Sequence, residues 1–180
     1  MATTTSLVTQ AEFADMPNPP GGYLELRHGE VVTLTYPKRP HTKAQVNLID
    51  ELAPRAHGKG KVIMEMPYCP LPEYEVWGAD VAFVSKVQWS RWNKHDWLPG
   101  SPLLVIEVLS PSNTKSEIAE KRKTCFEGGC KEFWLVDPKK KTVQTWTSDG
   151  ATSKYSESDS IPLPIMDAEP LPVHTIFNED

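Results

Sequence analysis

The sequence shows no long apolar run, no visible secretory-signal pattern and no paired cysteines. No stretch approaches the roughly 20 apolar residues of a membrane span, and the opening MATTTSLVTQ has no basic segment followed by an apolar one. We therefore expect a soluble, cytoplasmic protein with no membrane partner. Cys69, Cys125 and Cys130 have no spacing typical of a zinc site or a disulfide framework, so we expect reduced, structural thiols.

The chain also lacks an excess of positive charge. Its formal net charge is −5, which argues against a protein that coats nucleic acid with a wholly basic surface. Basic residues are nevertheless clustered, as around His41 (Lys38, Arg39, Lys43) and on either side of Lys121 (Lys115, Arg122, Lys123). One such cluster is usually a solvated face, whereas several that converge on one cleft would favour a phosphate site.

Length and composition favour a single folded unit. The 180 residues and the 39% hydrophobic content are sufficient for one ordinary core. The breaker-rich PNPPGG predicts an N-terminal extension over 1–20 and one domain over 21–180. Within that domain we expect a regular core to about residue 146 and a less regular part over 147–180.

Hydrophobic periodicity predicts an α/β fold. YLELRHGEVVTLT alternates about His28-Gly29 as a β-hairpin does, and HTKAQVNLIDELAPRAH predicts a helix with an inward stripe of Ala44, Val46, Leu48, Ile49 and Leu52. Further strands are expected in KVIMEMPY, GADVAFVSK, LLVIEV and on either side of Asp137-Pro138. The tryptophan-rich segment from 88 to 101 shows no period, and the last thirty residues read as irregular or as a closing strand around LPVHTIF.

A helix between the last two core strands has clear ends. Thr114 and Glu117 have the spacing of a capping box, and Gly128-Gly129 provides the stop. Strand, helix and strand within about 40 residues predict a βαβ crossover.

A single acid interrupts the apolar run in SPLLVIEVLSPSN. Glu107 shares a face with Val105 and Leu109, while the other face is equally apolar, as in a central strand covered on both sides. An ionised carboxylate buried without a partner costs several kcal/mol, so we expect Glu107 to be paired, protonated or bound to metal. A structural pair with Arg or Lys is one explanation. A site at the carboxyl end of the strand is the other.

Asp80 in GADVAFV is a second acid at the edge of a strand-like run. Two carboxylates on neighbouring strands would repel each other unless a cation lay between them, and Mg²⁺ binds one or two carboxylates with water and phosphate oxygens. Lys121 flanks the inward stripe of the following helix, so its ammonium could turn back towards Glu107 or extend into solvent.

Five segments together resemble a known family. YLELRHGEVV followed by His41, then ADVAFV, LLVIEVLSPSN, EIAEKRKTCFEGG and KEFWLVDP, in this order, are similar to the Uma family of bacterial restriction-endonuclease-like proteins, a branch of the PD-(D/E)XK nuclease superfamily. The resemblance covers roughly residues 20 to 146. It implies a restriction-endonuclease-like core, a mixed β-sheet flanked by helices with an N-terminal hairpin region, and Mg²⁺- or Mn²⁺-dependent endonuclease activity on DNA.

The same resemblance implies roles for individual residues. Asp80 and Glu107 would bind the metal with the main-chain carbonyl of Val108, and Lys121 would replace the superfamily's usual lysine, whose position here is Leu109. Glu25 matches the acid of the opening motif and could hold a metal-bound water or a second ion. The substrate-binding candidates are His41, Lys43, Ser110 and Arg122.

Two positions depart from the family pattern. Ala79 replaces a usual proline before the aspartate, and Cys125 replaces a usual aromatic residue on the helix. Neither change removes an acid or the lysine.

Two other interpretations remain open. The net acidity and the tryptophans Trp77, Trp89, Trp92 and Trp97 favour an interface, so the chain could be a catalytically inactive DNA-binding or protein-interaction module. Alternatively, Asp80, Glu107 and Lys121 could form a buried structural ion network. We also expect a homodimer, because cutting both strands with one such site usually needs two subunits.

Overall fold

A seven-stranded mixed sheet forms the centre of the protein. The computed structural model describes residues 6–93 and 96–179. The sheet has the order β5-β3-β4-β6-β7-β8-β9, and β1-β2 and β10-β11 form separate two-stranded sheets. The strands are β1 (Gly22–Arg27), β2 (Glu30–Thr35), β3 (Gly60–Cys69), β4 (Trp77–Ser85), β5 (Leu98–Pro99), β6 (Leu104–Val108), β7 (Glu132–Asp137), β8 (Thr142–Thr147), β9 (Thr152–Ser156), β10 (Ser160–Leu163) and β11 (Ala168–Pro172).

Five helices accompany the strands in the described residues. They are α1 (Gln10–Ala14), α2 (Arg39–Arg55), α3 (Lys86–Arg91), α4 (Lys115–Glu127) and α5 (Val173–Ile176), with a short 3₁₀ helix at Pro164–Met166. In these residues no helix has the length and apolar character needed to cross a membrane. The expected α/β class, a mixed sheet flanked by helices, is confirmed.

β6 is the central strand that its sequence predicted. It pairs antiparallel with β4 and parallel with β7, and all five of its residues are buried. Ile106 and Val108 pack into the hydrophobic cluster that contains α2, while Val105 packs into the cluster that contains Ile118 and Cys125 of α4. Both faces of the strand are therefore covered, and Glu107 lies on the α4 side.

The N-terminal hairpin and α4 also follow the sequence closely. His28 and Gly29 form the two-residue turn with φ of 51° and 78°, the left-handed pair that suits the twist of a tight hairpin. Thr114 and Glu117 form the predicted capping box, and α4 ends at Gly128. Hydrogen bonds between Leu26 and Val76 join the hairpin to the segment before β4.

The inward stripe predicted for α2 is wrong at one position. Val46 is exposed, whereas Gln45 and Asn47 are buried. Asn47 donates to the carbonyls of Ile176 and Asn178, both at 3.0 Å, and Gln45 donates to polar groups of β3 and β4. Gln45 and Asn47 can be buried because they bind polar groups on neighbouring elements, which helical periodicity does not reveal.

Two segments without a predicted period form short elements. α3 overlaps the start of the tryptophan-rich segment and is capped reciprocally by Ser85 and Gln88, while Trp77 belongs to β4 and is buried. Residues 94 and 95 of that segment lie outside the described residues. LPVHTIF contributes only the end of β11 to a strand and continues as α5, because Val173 and Ile176 pack into the core.

The first described residues pack against the hairpin. Phe13 of α1 is buried beside Leu26 and Val76, and the backbone of Val8 bonds to Gly29. All three cysteines are buried as free thiols.

Candidate active site

The register between β4 and β6 brings Asp80 and Glu107 together. The ladder pairs Val81 with Ile106, and one further step in that register places Asp80 opposite Glu107. There the ladder gives way to a side-chain contact, in which the Val108 N–H donates to Asp80 Oδ2 at 2.6 Å. Asp80 thus binds the backbone of the residue next to Glu107 where β6 ends.

Lys121 reaches this pair from α4. Its Nζ donates to Glu107 Oε2 at 2.8 Å and to the Gly78 carbonyl at 2.5 Å, and lies 3.9 Å from Glu25 Oε1. Burial alone would lower the pKa of Lys121, but the charges of Glu107, Glu25 and Asp80 raise it above its usual value. The buried ammonium therefore stays charged.

Glu107 is only half satisfied. The residue is 7% exposed, and its Oε1 has no hydrogen-bond partner in the protein. Burial, assisted by the Asp80 and Glu25 charges and opposed by Lys121, raises the pKa of Glu107 to about 8. Burial is therefore the main reason that the charged form of Glu107 is disfavoured.

Glu25 is buried in the same cluster but is fully engaged. Its Oε2 accepts hydrogen bonds from Arg27 Nε at 2.8 Å and lies 2.7 Å from Arg27 Nη2, and its Oε1 accepts from the Gly78 N–H at 2.8 Å. The Arg27 guanidinium lies 5.5 Å from the centre of the Trp77 ring. Glu25 thus fixes Gly78, whose carbonyl holds Lys121.

A second group of polar side chains surrounds Asp80 from α2 and β3. His41 Nε2 lies 3.1 Å from Asp80 Oδ2, and Gln45 Nε2 donates to both the Asp80 carbonyl, at 3.2 Å, and Glu65 Oε1. Burial would lower the pKa of His41, but the hydrogen bond and charge of Asp80 raise it overall. The Met64–Val81 and Met66–Ala79 pairs place Glu65 opposite Asp80, so β3, β4 and β6 carry acids in one row.

Sequence reasoning missed Gln45 and Glu65, although both left a signal. Gln45 lies between apolar positions of an amphipathic helix, and Glu65 is an acid inside the strand-like KVIMEMPY. Glu65 also has φ of 51°, a conformation that costs free energy for a non-glycine residue and tends to occur at functional sites.

The other predicted substrate-binding residues, Lys43, Ser110 and Arg122, lie at different places relative to the acids. Lys43 lies two residues after His41 on α2, and Ser110 follows β6, where its hydroxyl donates to Asn113 Oδ1 at 2.9 Å. Arg122 stacks on Trp146 of β8, with the guanidinium 4.3 Å from the ring centre. Because β8 lies two strands from β6, the structure does not bring Arg122 to the acids.

The donor atoms fit a hard divalent cation. Across 6–93 and 96–179, no three His, Cys, Asp or Glu side chains are arranged as a complete metal site. Asp80 and the unpaired, buried Glu107 Oε1 instead supply two carboxylates, the number that Mg²⁺ typically takes from protein before water and phosphate oxygens complete its shell.

The model of one protein family, Uma2, described as "Putative restriction endonuclease", matches residues 10–172. The chain belongs to the Uma2 family. A solved structure described as a putative nuclease belonging to DUF820, from Anabaena variabilis ATCC 29413, superposes with a TM-score of 0.79 at 17% identity. The superposition covers 94% of the present chain and 97% of the solved chain, and it shows that the two have a common fold. No curated protein sequence matches the chain.

Proposed function

We propose that this Uma2 protein is a metal-dependent DNA endonuclease of the PD-(D/E)XK type, with Asp80 and Glu107 as its metal-binding acids. One observation carries the proposal. Glu107, next to Asp80 and paired with a buried lysine, keeps one buried oxygen without a hydrogen-bond partner. A buried polar atom of this kind needs a partner, and a cation is the partner that an anionic oxygen between acids favours.

Asp80, Glu107 and the main-chain carbonyl of Val108 would hold Mg²⁺ or Mn²⁺. When bound, such an ion lowers the pKa of a coordinated water and stabilises charge on the phosphate. The structure supports this assignment through hard oxygen donors at one strand end.

Lys121 keeps a positive charge at the reacting phosphate. Its two short hydrogen bonds, to Glu107 and to the Gly78 carbonyl, use two of the three ammonium protons. The third can orient the attacking water or stabilise the developing oxyanion. Glu25 positions this lysine by binding the Gly78 N–H.

The substrate side of the site faces α2 and the loop after β6. His41 would orient Asp80 through the 3.1 Å contact and, with Lys43 and Ser110, would meet DNA phosphates. Arg122 contributes only if it leaves its stacked position on Trp146. Cleavage of both strands would take two copies of the chain.

Nicking of supercoiled plasmid tests the proposal. We expect wild-type protein to nick DNA with Mg²⁺ or Mn²⁺ and not with EDTA, and Asp80→Asn, Glu107→Gln and Lys121→Met to lose this activity. Glu132→Gln is the matched control, because Glu132 is a buried acid that binds Trp134 Nε1 at 3.1 Å at the far end of β7. Activity that survives in both Asp80→Asn and Glu107→Gln, or that no divalent ion elicits, would refute the proposal.

A catalytically inactive module is the second candidate. Asp80 Oδ2 already contacts His41 and the Val108 N–H, so part of the cluster is satisfied as a structural ion network. This function predicts DNA binding that weakens with salt, is independent of metal and is unaccompanied by cleavage.

A further inference from the structure

Two tyrosines belong to the hairpin that carries Glu25, a member of the acid cluster formed by Glu25, Glu65, Asp80 and Glu107. Tyr23 lies two residues before Glu25 on β1, so both side chains project from the same face. Tyr23 pairs with Leu34 across the hairpin, and Tyr36 follows directly after β2. The two rings have centroids 6.0 Å apart and an interplanar angle of 33°.

Tyr23 forms the inner member of the pair. Burial raises the pKa of its hydroxyl, and the charges of Glu25, Glu65 and Asp80 raise it further, with Lys121 acting in the opposite direction. The Tyr23 hydroxyl therefore lies in the electric field of the same groups that form the candidate active site.

Tyr36 forms the outer member and is open to solvent. It is 59% exposed, the largest exposed fraction among the large hydrophobic side chains of the described residues. Five residues later the chain reaches His41, which contacts Asp80. Lys38 and Arg39 lie between them at the start of α2, whose first turn has no acid. Tyr36 thus directly precedes a basic helix start whose His41 contacts Asp80.

An exposed aromatic ring at this place suits a particular form of DNA. In a duplex the base faces are stacked on one another, whereas unpaired bases are free to stack on aromatic side chains, with cations nearby to contact the backbone. Tyr23 supports the inner side of Tyr36 and leaves its other side available.

We propose that Tyr36, backed by Tyr23, is a stacking platform for an unpaired base next to the scissile phosphate, so that the substrate is single-stranded DNA or DNA with an unpaired segment. This inference rests on the proposed nuclease function. It adds the form of the substrate, which the metal site alone does not specify.

Fluorescence anisotropy with a labelled single strand and its duplex, in Mg²⁺ with Glu107→Gln protein to prevent cutting, tests the platform. We expect Tyr36→Ala to weaken single-strand binding about tenfold and duplex binding less than twofold, and Tyr36→Phe to bind as the parent does. Trp89→Ala is the matched control, because Trp89 is 44% exposed on α3, beyond the end of β4 that is distant from Asp80.

Tyr36→Leu keeps an apolar side chain on Tyr23. It replaces Tyr36→Ala as the test variant if Tyr36→Ala lowers the melting temperature. Three results would overturn the platform. They are equal losses of affinity for single strand and duplex, an equal loss in Trp89→Ala, and no loss of single-strand affinity in Tyr36→Ala and Tyr36→Leu. The nuclease proposal has a separate readout. If wild-type protein nicks DNA with metal while Tyr36→Ala cuts single strands equally well, the platform fails and the nuclease stands. If no metal-dependent cutting occurs at all, the nuclease itself fails.

Discussion

The hairpin side and the β6 side of the acid cluster each bury one glutamate, but the two carboxylates differ in their hydrogen-bond partners. Glu25 accepts hydrogen bonds on both oxygens, from Arg27 and the Gly78 N–H. Glu107 shares Lys121 on one oxygen and leaves the other without a partner. A satisfied buried carboxylate stabilises its surroundings, whereas an unsatisfied one is costly unless a ligand completes it. Under the proposed function, this difference gives Glu25 a positioning role and Glu107 a metal-binding role.

Neutralising Glu107 should have the largest effect on activity. We expect Glu107→Gln to reduce metal-dependent cleavage by about 10²–10³-fold or more, as the loss of a main electrostatic group in an active site does. Glu25→Gln should reduce it only about tenfold, through the orientation of Lys121. Initial rates of plasmid nicking compare the two, and equal losses would remove the distinction between them.

For the free energy of unfolding we expect the reverse order, with Glu25→Gln more harmful than Glu107→Gln. Glu25→Gln leaves the Arg27 guanidinium without its charge partner, and we expect a loss of about 2–3 kcal/mol in the free energy of unfolding. Partial exposure of the Arg27 side chain, at 22%, keeps the loss below that of a fully buried pair. Glu107→Gln should cost less, because Lys121 keeps the Gly78 carbonyl and Glu25 as partners. Urea denaturation without metal measures both, and a larger loss in Glu107→Gln would contradict the assignment.

The pH dependence of metal binding follows from the raised pKa of Glu107. Because the proton on Glu107 must leave before a cation binds, affinity should rise up to about tenfold per pH unit from roughly pH 6 and level off near pH 8. The folded protein holds this proton between the ordinary pKa, 4.5, and about 8, while the unfolded chain does not. The metal-free protein should therefore lose stability as pH rises through that window. Mn²⁺ titrations at pH 6, 7 and 8 check the affinity, and a pH-independent affinity would show that no protonated carboxyl is displaced.

His41 should have the smallest effect of the group. Because His41 would contact DNA phosphates and touches Asp80 through only one hydrogen bond of 3.1 Å, His41→Ala should raise the KM for DNA several-fold and leave kcat within about threefold. His41→Gln, which keeps a donor, should restore part of the loss. Steady-state kinetics on one oligonucleotide separates KM from kcat, and a loss confined to kcat would place His41 at the chemical step instead.

Several parts of the fold could be predicted because their signals are local. The His28-Gly29 turn, the Thr114–Glu117 capping box and the doubly apolar β6 each specify their structure within a few residues. α3 and α5 are too short to show a helical period in the sequence. They form because capping by Ser85 and burial of Val173 and Ile176 stabilise very short helices.

The candidate site divides in the same way. Asp80, Glu107 and Lys121 could be selected because each interrupts an apolar pattern or flanks it. Gln45 and Glu65 interrupt apolar patterns too, but the sequence does not show that they meet Asp80: the β3–β4 register brings Glu65 opposite it, and the packing of α2 brings Gln45 to its carbonyl. The orphaned Glu107 Oε1 is likewise a property of packing that a residue pattern does not contain.

Calorimetric titration of Mn²⁺ into the wild-type protein at pH 8, with Glu107→Gln and Glu132→Gln alongside, tests the central claim most directly. Asp80 and Glu107 as metal-binding acids predict saturable binding in the wild type and in Glu132→Gln, and its loss in Glu107→Gln. Absence of binding in the wild type, or undiminished binding in Glu107→Gln, would contradict the account.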